Sequence, residues 1–265
     1  MERIALRDAF VAPDPRKVLI AGDYRQMELR IAAHYGNDEA LMSLLVEPNG
    51  DVFRDMWAAW HSTEAAEVDD DERNIAKSVC YGMLYGMSSA TLARELQCTE
   101  LYADELIQSF HEAFPGVQRF ITNTVQQATE HGFVTTFSGR CRNLPNLKSS
   151  NESVRAAAER QAVNTICQGS AADVMKLAMI AIDTAIRDQA ALTPKGPMAD
   201  VSIVLQIHDE LLLQVDPENL LEVAKIVRAC MENAIELTLP MPVKLLAGRS
   251  WGSLEKIEEF AARLA

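Results

Sequence analysis

Two acids stand where apolar runs end. Asp23 closes Lys17–Asp23 (KVLIAGD), and Asp209 lies in Gln206-Ile207-His208-Asp209-Glu210, between the apolar runs Val201–Ile207 and Glu210–Val215. An acid ending a buried strand and another on a neighbouring turn can be held close together only if cations neutralise them. Carboxylate oxygens of this kind suit magnesium or manganese. Two such ions roughly 4 Å apart would activate a hydroxyl and stabilise a leaving pyrophosphate. Either acid taken alone reads equally as a turn former or a cap.

A second set recurs at helical spacing. Arg73, Lys77, Tyr81 and Tyr85 are four residues apart and share one slowly drifting helix face. Two cations near a helix N-terminal half suit a triphosphate, and rings further along suit a base or sugar. The same spacing also describes a solvated basic turn followed by core tyrosines. Arg160, Asn164 and Gln168 form a third row of the same period. Their donors suit the minor-groove acceptors common to all base pairs, and equally a polar stripe facing water.

The elements that must hold these residues follow from the pattern. Lys17–Asp23 reads as a buried strand, and helical spacing runs from Met27 to about Leu45, where Pro48-Asn49-Gly50 breaks it. Asp51 opens a helix with Phe53, Trp57 and Trp60, and Asp69-Asp70-Asp71-Glu72 caps the helix that runs to Gly86. Amphipathic helices fill Ser89–Glu130. Phe133–Phe137 and Cys141–Leu144 read as a small hairpin around Ser138-Gly139-Arg140. A long helical stretch from about Glu152 to Gln189 carries Gly169 as a kink, and Pro194–Pro197 reads as a loop. Val201–Ile207 and Glu210–Val215 form a tight hairpin turning at His208-Asp209. Asp216-Pro217 starts a helix to about Leu237, and Val243–Ala247 is a closing strand. The expected fold class is α+β: an antiparallel sheet with packed helices, built from the two ends of the sequence, with the middle helices inserted as a lobe.

Bulk properties bound the rest. The five cysteines are scattered and never spaced C-x-x-C, which argues against a disulfide framework or zinc site and for a reducing, intracellular compartment. Met1–Pro13 lacks the apolar stretch of a secretory signal, and no run approaches the roughly 18 apolar residues of a membrane span, so no membrane partner is expected. The net charge of −13 runs against the basic footprint usual in nucleic-acid binders. Charge alone points away from nucleic acid.

The segments D-Y-R-Q-M-E-L-R-I-A-A-H, R-x3-K-x3-Y-G-x2-Y-G and H-D-E resemble motifs A, B and C of the family A DNA polymerases, in order and approximate spacing, as does A-E-R-Q-A-V-N-T-I-x-Q-G-S-A-A-D between the last two. The likeness extends from Arg7-Asp8-Ala9-Phe10 to Gly248-Arg249-Ser250-Trp251-Gly252. Asp51-Val52-Phe53-Arg54, Cys80-Tyr81-Gly82 and Gln161–Asp173 look more like the eukaryotic theta branch than bacterial polymerase I. The resemblance implies a palm over 1–35 and 151–265, with its motif C hairpin at 201–215, and fingers over 36–150, with a motif B helix at 72–86. It implies two magnesium ions, with manganese as a substitute, held by Asp23, Asp209 and the Tyr24 carbonyl, and Glu210 beside them. Arg73 and Lys77 would bind the triphosphate, Lys77 also giving a proton to the leaving group. Tyr81 would pack on the sugar, Glu28 would crowd the 2′ position, and Gln26 and Tyr85 would complete the nucleotide site. His208 would lie near the primer terminus, with Arg160, Asn164, Gln168 and Arg7 on DNA. Primer-template DNA and deoxynucleoside triphosphates are the implied partners, DNA repair the implied setting, and a nuclear address is expected over a mitochondrial one.

Two positions depart from the family pattern. Arg25 stands where a small residue is common, which alters the charge beside the acids, and Tyr81 stands where many bacterial relatives have Phe. The family's helical thumb and first palm strands have no counterpart here, so the thumb and other domains are expected upstream in a longer chain or from a partner. That absence would account for the acidic balance. Alternatives are a fragment that binds metal or nucleotide without extending primers, and a two-metal nuclease, which has no use for the Arg73–Tyr85 face.

Overall fold

The computed structural model describes residues 6–46, 50–193 and 196–264. The expected break at Pro48-Asn49 and part of the expected Pro194–Pro197 loop lie outside them. The chain divides into two compact units, Met1–Met27 with Val174–Ala265, and Glu28–Asp173.

The first unit is built on an antiparallel sheet of order β4-β5-β1-β6-β7. Its strands are β1 (Val18–Tyr24), β4 (Ser202–Ile207), β5 (Glu210–Val215), β6 (Val243–Gly248) and β7 (Glu255–Lys256). β1 is apolar without alternation because it lies between β5 and β6 and is covered on both faces, with Val18–Ala21 all buried. Helices α10 (Leu220–Glu232) and α11 (Ile257–Leu264) complete the unit with the end of α9 (Ser170–Leu192). On one sheet face Leu19, Ala21 and Leu212 pack with Ala12 and Trp251.

The second unit is helical, as expected for an inserted lobe. It holds α1 (Met27–Gly36), α2 (Glu39–Val46), α3 (Val52–His61), α4 (Asp70–Leu84), α5 (Ser89–Leu96), α6 (Glu100–Ala113), α7 (Pro115–His131) and α8 (Glu152–Asn164). A hairpin of β2 (Phe133–Thr135) and β3 (Cys141–Asn143) lies between α7 and α8. Asp69 caps α4 through a full capping box with Glu72. Replacing Asp69 by alanine is expected to cost about 1 kcal/mol, read as a lowered urea midpoint.

Four expectations need correction. The helix from Met27 divides at Asn37, whose φ is +43; Asp38 then accepts the Leu41 N–H (3.0 Å) and the Gly116 N–H (2.6 Å). The kink expected at Gly169 is a π-helical turn, Thr165–Gly169, joining α8 to α9. The helix after Asp216 is 3-10 over Pro217–Asn219, and α10 stops at Glu232 rather than near Leu237. There the Asn233 side chain donates to the Ala229 carbonyl (2.8 Å) and Glu232 accepts the Val243 N–H (3.0 Å), which turns the chain into β6. Finally, Glu152–Gln189 contains an 18-residue window of mean hydropathy 1.2, long and apolar enough by composition to cross a membrane, contrary to the sequence reading. Its first part packs Ala158 and Ala162 into a core with Leu144 and Leu147.

Candidate active site

In the first unit, strand alternation sorts β1. A Cβ on Gly22 would meet the Met231 sulfur of α10 at 2.7 Å, and the Tyr24 hydroxyl donates to the Met231 carbonyl at 2.6 Å. Ala21 and Asp23 face the other way, into a cleft of about 440 Å³. Register then sets Asp23 between Glu210 of β5 and Lys244 of β6, three charged residues in one row across the sheet. The hairpin turn adds Asp209, whose backbone carbonyl accepts the Tyr24 N–H at 3.3 Å. His208 sits beside it at φ +52, a left-handed conformation that costs a non-glycine residue about 1–2 kcal/mol. His208, Asp209, Glu210 and Arg7 line the same cleft as Asp23.

Burial, followed by the charges of Asp209 and Glu210, pushes the Asp23 carboxyl up to about 6, against the opposing pull of Lys244. The acids therefore carry more negative charge than the local lysine offsets, and a bound cation would relieve it. The donors are hard oxygens, which fit magnesium or manganese. Among the described residues no three Asp, Glu, His or Cys side chains form a metal cage by themselves. An acid pair opening on a cleft is the arrangement magnesium uses when substrate phosphates and water supply its remaining ligands. The Tyr24 phenol is committed to Met231, so only its backbone carbonyl remains as a ligand.

The fold adds Lys244 and Trp251 to this cleft, two residues to which the sequence assigns no role. Trp251 donates its indole N–H to Glu210 Oε1 (3.0 Å), and the Arg7 guanidinium lies 4.3 Å from its ring centroid. Alternation in Val243–Ala247 with a lysine at the second place was the available signal for Lys244; the Trp251 contact exists only in the folded sheet.

In the second unit, α4 buries Ala76, Val79, Cys80, Met83 and Leu84, and turns Arg73, Lys77 and Tyr81 away from that core. Lys77 is exposed, while Arg73, Tyr81 and Tyr85 are half-buried. Arg73 donates its Nε to Asp51 Oδ2 at 2.5 Å, and its guanidinium lies 5.7 Å from the buried Phe53 ring. That ring also meets Tyr81 at 5.9 Å, and Tyr81 stacks on Tyr85 at 6.0 Å. Asp51 stays below the usual carboxylate range: partial burial opposes this, but Arg73 and the N–H groups of Phe53 and Arg54 outweigh it. Asp51 is a further residue that sequence reasoning read only as a helix start.

The far end of α4 gathers a different group. The Tyr85 hydroxyl donates to Glu28, and burial together with Glu28 raises the phenol well above its ordinary value, Gln168 opposing. Gly86 has φ +67, and a Cβ there would meet Arg160 Cγ at 2.6 Å, so Arg160 lies against this end. Asn164 precedes the π-helical turn and Gln168 lies within it, and both line a small pocket with Thr136, Arg140 and Arg142. Such turns inside helices recur at functional sites. Gln26, at φ +47, marks the passage from β1 into α1.

The sequence matches DNA polymerase family A over residues 1–253. The chain belongs to that family. It is 38% identical over 257 residues to DNA polymerase theta of Drosophila melanogaster, covering 96% of this chain and 12% of that protein. It is 37% identical over 247 residues to DNA polymerase I of Lactococcus lactis subsp. cremoris, covering 93% of this chain and 27% of that protein. A solved structure of the POL domain of Pol1 from M. smegmatis, in complex with DNA primer-template and dNTP, superposes with a TM-score of 0.85 at 38% identity, over 93% of this chain and 42% of that one. The chain thus spans only a fraction of the length of these relatives.

Proposed function

We propose that this chain is the catalytic part of a template-directed DNA polymerase, joining deoxynucleotides to a primer 3′-hydroxyl, with repair synthesis as its setting. The observation that carries this reading is the meeting of Asp23 and Asp209 in one cleft, on the strand end and hairpin turn where the family motifs fall. Family membership and the DNA- and dNTP-bound relative support it. Residues 1–35 and 151–265 are assigned to the palm and 36–150 to the fingers.

Asp23, Asp209 and the Tyr24 carbonyl would hold two magnesium ions, which when bound lower the pKa of the attacking hydroxyl and offset charge on the leaving group. The chain's own residues do the rest. Arg73 and Lys77 neutralise and orient the triphosphate, and Lys77 supplies a proton to the departing pyrophosphate oxygen. Tyr81 packs on the sugar. Glu28, held by the Tyr85 hydroxyl, closes the space at the 2′ position. Glu210, tied to Trp251, keeps its charge beside the acids without being free to swing away. Arg160, Asn164 and Gln168 offer donors to the minor groove of the primer-template, and His208 and Arg7 border the primer end.

Extension of a labelled primer on a template, with magnesium and dNTPs, tests the reading; if neither this chain nor the longer polymerase carrying it adds nucleotides, the reading fails. The net charge of −13 favours one alternative for the isolated chain, a nucleotide- and metal-binding fragment with little grip on DNA. Nucleotide binding without extension would select it.

Tyr81 sets a sharper expectation. A phenol at the sugar supplies a polar partner that a dideoxynucleotide lacks in itself, so dideoxy incorporation should be facile. Tyr81→Phe is expected to raise discrimination against dideoxynucleotides by about two- to tenfold, the worth of one hydrogen bond. Competition between dTTP and ddTTP in single-nucleotide addition measures it, and unchanged selectivity would refute the role.

A further inference from the structure

We propose that Asp51 is a positioning residue for Arg73, fixing its guanidinium for the triphosphate of the incoming nucleotide; this rests on the reading of Arg73 given above. The two oxygens of Asp51 do different work. Oδ1 accepts the backbone N–H groups of Phe53 (3.1 Å) and Arg54 (3.4 Å), which caps α3 and fixes the carboxylate to the backbone. Oδ2 accepts Nε of Arg73 at 2.5 Å, across 22 positions of sequence. A carboxylate anchored in this way cannot follow a moving arginine, so it dictates where the arginine stays.

The choice of Nε matters. A guanidinium presents its donors in a rigid planar fork. Using the Nε edge leaves the terminal nitrogens at the far end; Nη1 makes only a long 3.3 Å contact with the exposed Asn74 side chain. The face of the fork is set too, because the buried Phe53 ring lies 5.7 Å from it. Asp51 and Phe53, two residues apart at the start of α3, thus fix one edge and one face of the same group. The same ring abuts Tyr81, the proposed sugar contact, at 5.9 Å.

Asp51 also brings a negative charge close to an anion site. Both partners retain about a third of their side-chain exposure, 30% for Arg73 and 35% for Asp51, so solvent screens that repulsion. The gain is that the arginine is ordered before the ligand arrives, and affinity then loses less to immobilising it.

Equilibrium binding of inorganic tripolyphosphate and of dTTP to this chain tests the proposal, using Asp51→Asn, Arg73→Ala and the double variant. Asparagine caps a helix as well as aspartate does, so Asp51→Asn removes the ion pair and keeps α3; Asp51→Ser, another good cap, is the second variant. The expected result is affinity lowered about three- to tenfold by Asp51→Asn, roughly the worth of one immobilised side chain. Thermal stability should be nearly unchanged, and Asp51→Asn should have no further effect in the Arg73→Ala background. Loss of affinity in Arg73→Ala with none, or a gain, in Asp51→Asn overturns the positioning role and leaves the triphosphate reading standing. An equal loss in the Arg73→Ala background also overturns it, since Asp51 would then not act through Arg73. If Arg73→Ala itself binds normally, the reading of the triphosphate site fails first.

Discussion

Asp209→Ala is expected to lower primer extension at least about a thousandfold while leaving the fold intact. Charge stabilisation by a bound metal is worth several kcal/mol, and about 4 kcal/mol is a factor of a thousand in rate. Structure gives no compensating cost. Asp209 ties its turn to β1 through its backbone carbonyl, which alanine retains, while its carboxylate lines the open cleft. In the metal-free protein that carboxylate stands against Asp23, so its removal relieves like-charge repulsion. Thermal unfolding without metal should therefore give a midpoint equal to or above that of the parent chain. The rate comparison belongs in whichever form of the polymerase extends primers. A loss smaller than about tenfold, or a collapse of the fold, would remove Asp209 from the proposed role.

Asp173→Ala is the largest expected effect on stability, about 3 kcal/mol. The Asp173 side chain is 2% exposed and accepts the Arg140 Nε at 2.5 Å and the Ser138 N–H at 3.1 Å. Arg140 in turn donates to the Gly169 carbonyl at 2.8 Å, and Phe137 N–H donates to Ser170. These bonds fasten the β2–β3 hairpin across the π-helical turn. Each bond to a charged group is worth roughly 1.5–3 kcal/mol, and Arg140, half in water, recovers part of its hydration when released. A midpoint lower by about 10 °C in a heat melt at pH 7 is the corresponding readout. The pH dependence has a definite sign. Burial works against ionisation of Asp173, but the neighbouring Thr136 hydroxyl, the Ser138 N–H and Arg140 prevail and hold its carboxyl below the ordinary 3.8. Its stabilisation is present above that ordinary value and disappears as the pH falls through the lower native one. The parent and Asp173→Ala midpoints should hence converge in strong acid. Equal midpoints at pH 7 would show that the hairpin is held by other means.

Much of this was legible in the amino-acid order. β1 reads as a continuous apolar run because it is covered on both faces, and the acid at its end is therefore conspicuous. The hairpin around Asp209 has two apolar runs with only two residues between them. The α4 ladder follows from a period of four, and its start from a capping box written in Asp69–Glu72. What stayed hidden depends on contacts between distant residues. Lys244 is significant only through its register with Asp23, and Trp251 through its bond to Glu210. Asp51 looks like any other cap until Arg73 is brought to it. The early end of α10 comes from Asn233 and Glu232 bonding outside the regular helix pattern, which apolar spacing cannot reveal. The π-helical turn keeps helical periodicity nearly intact, so Gly169 hinted at an irregularity without giving its kind.

The strand order has a consequence for synthesis. Among the described residues β1 at Val18–Tyr24 finds its neighbours in Glu210–Val215 and Val243–Gly248, and Val11 bridges to Ser250. Glu28–Asp173 is one unbroken length of chain and can form its own contacts as it leaves the ribosome. The sheet cannot, because its central strand waits nearly two hundred residues for a partner, the long-separation pairing that slows folding most. Until then β1 is an unpaired apolar edge, a place for chaperones to act and for aggregation to begin. Asp23 consequently meets Asp209 late, only after the nearly two hundred residues between them have been made.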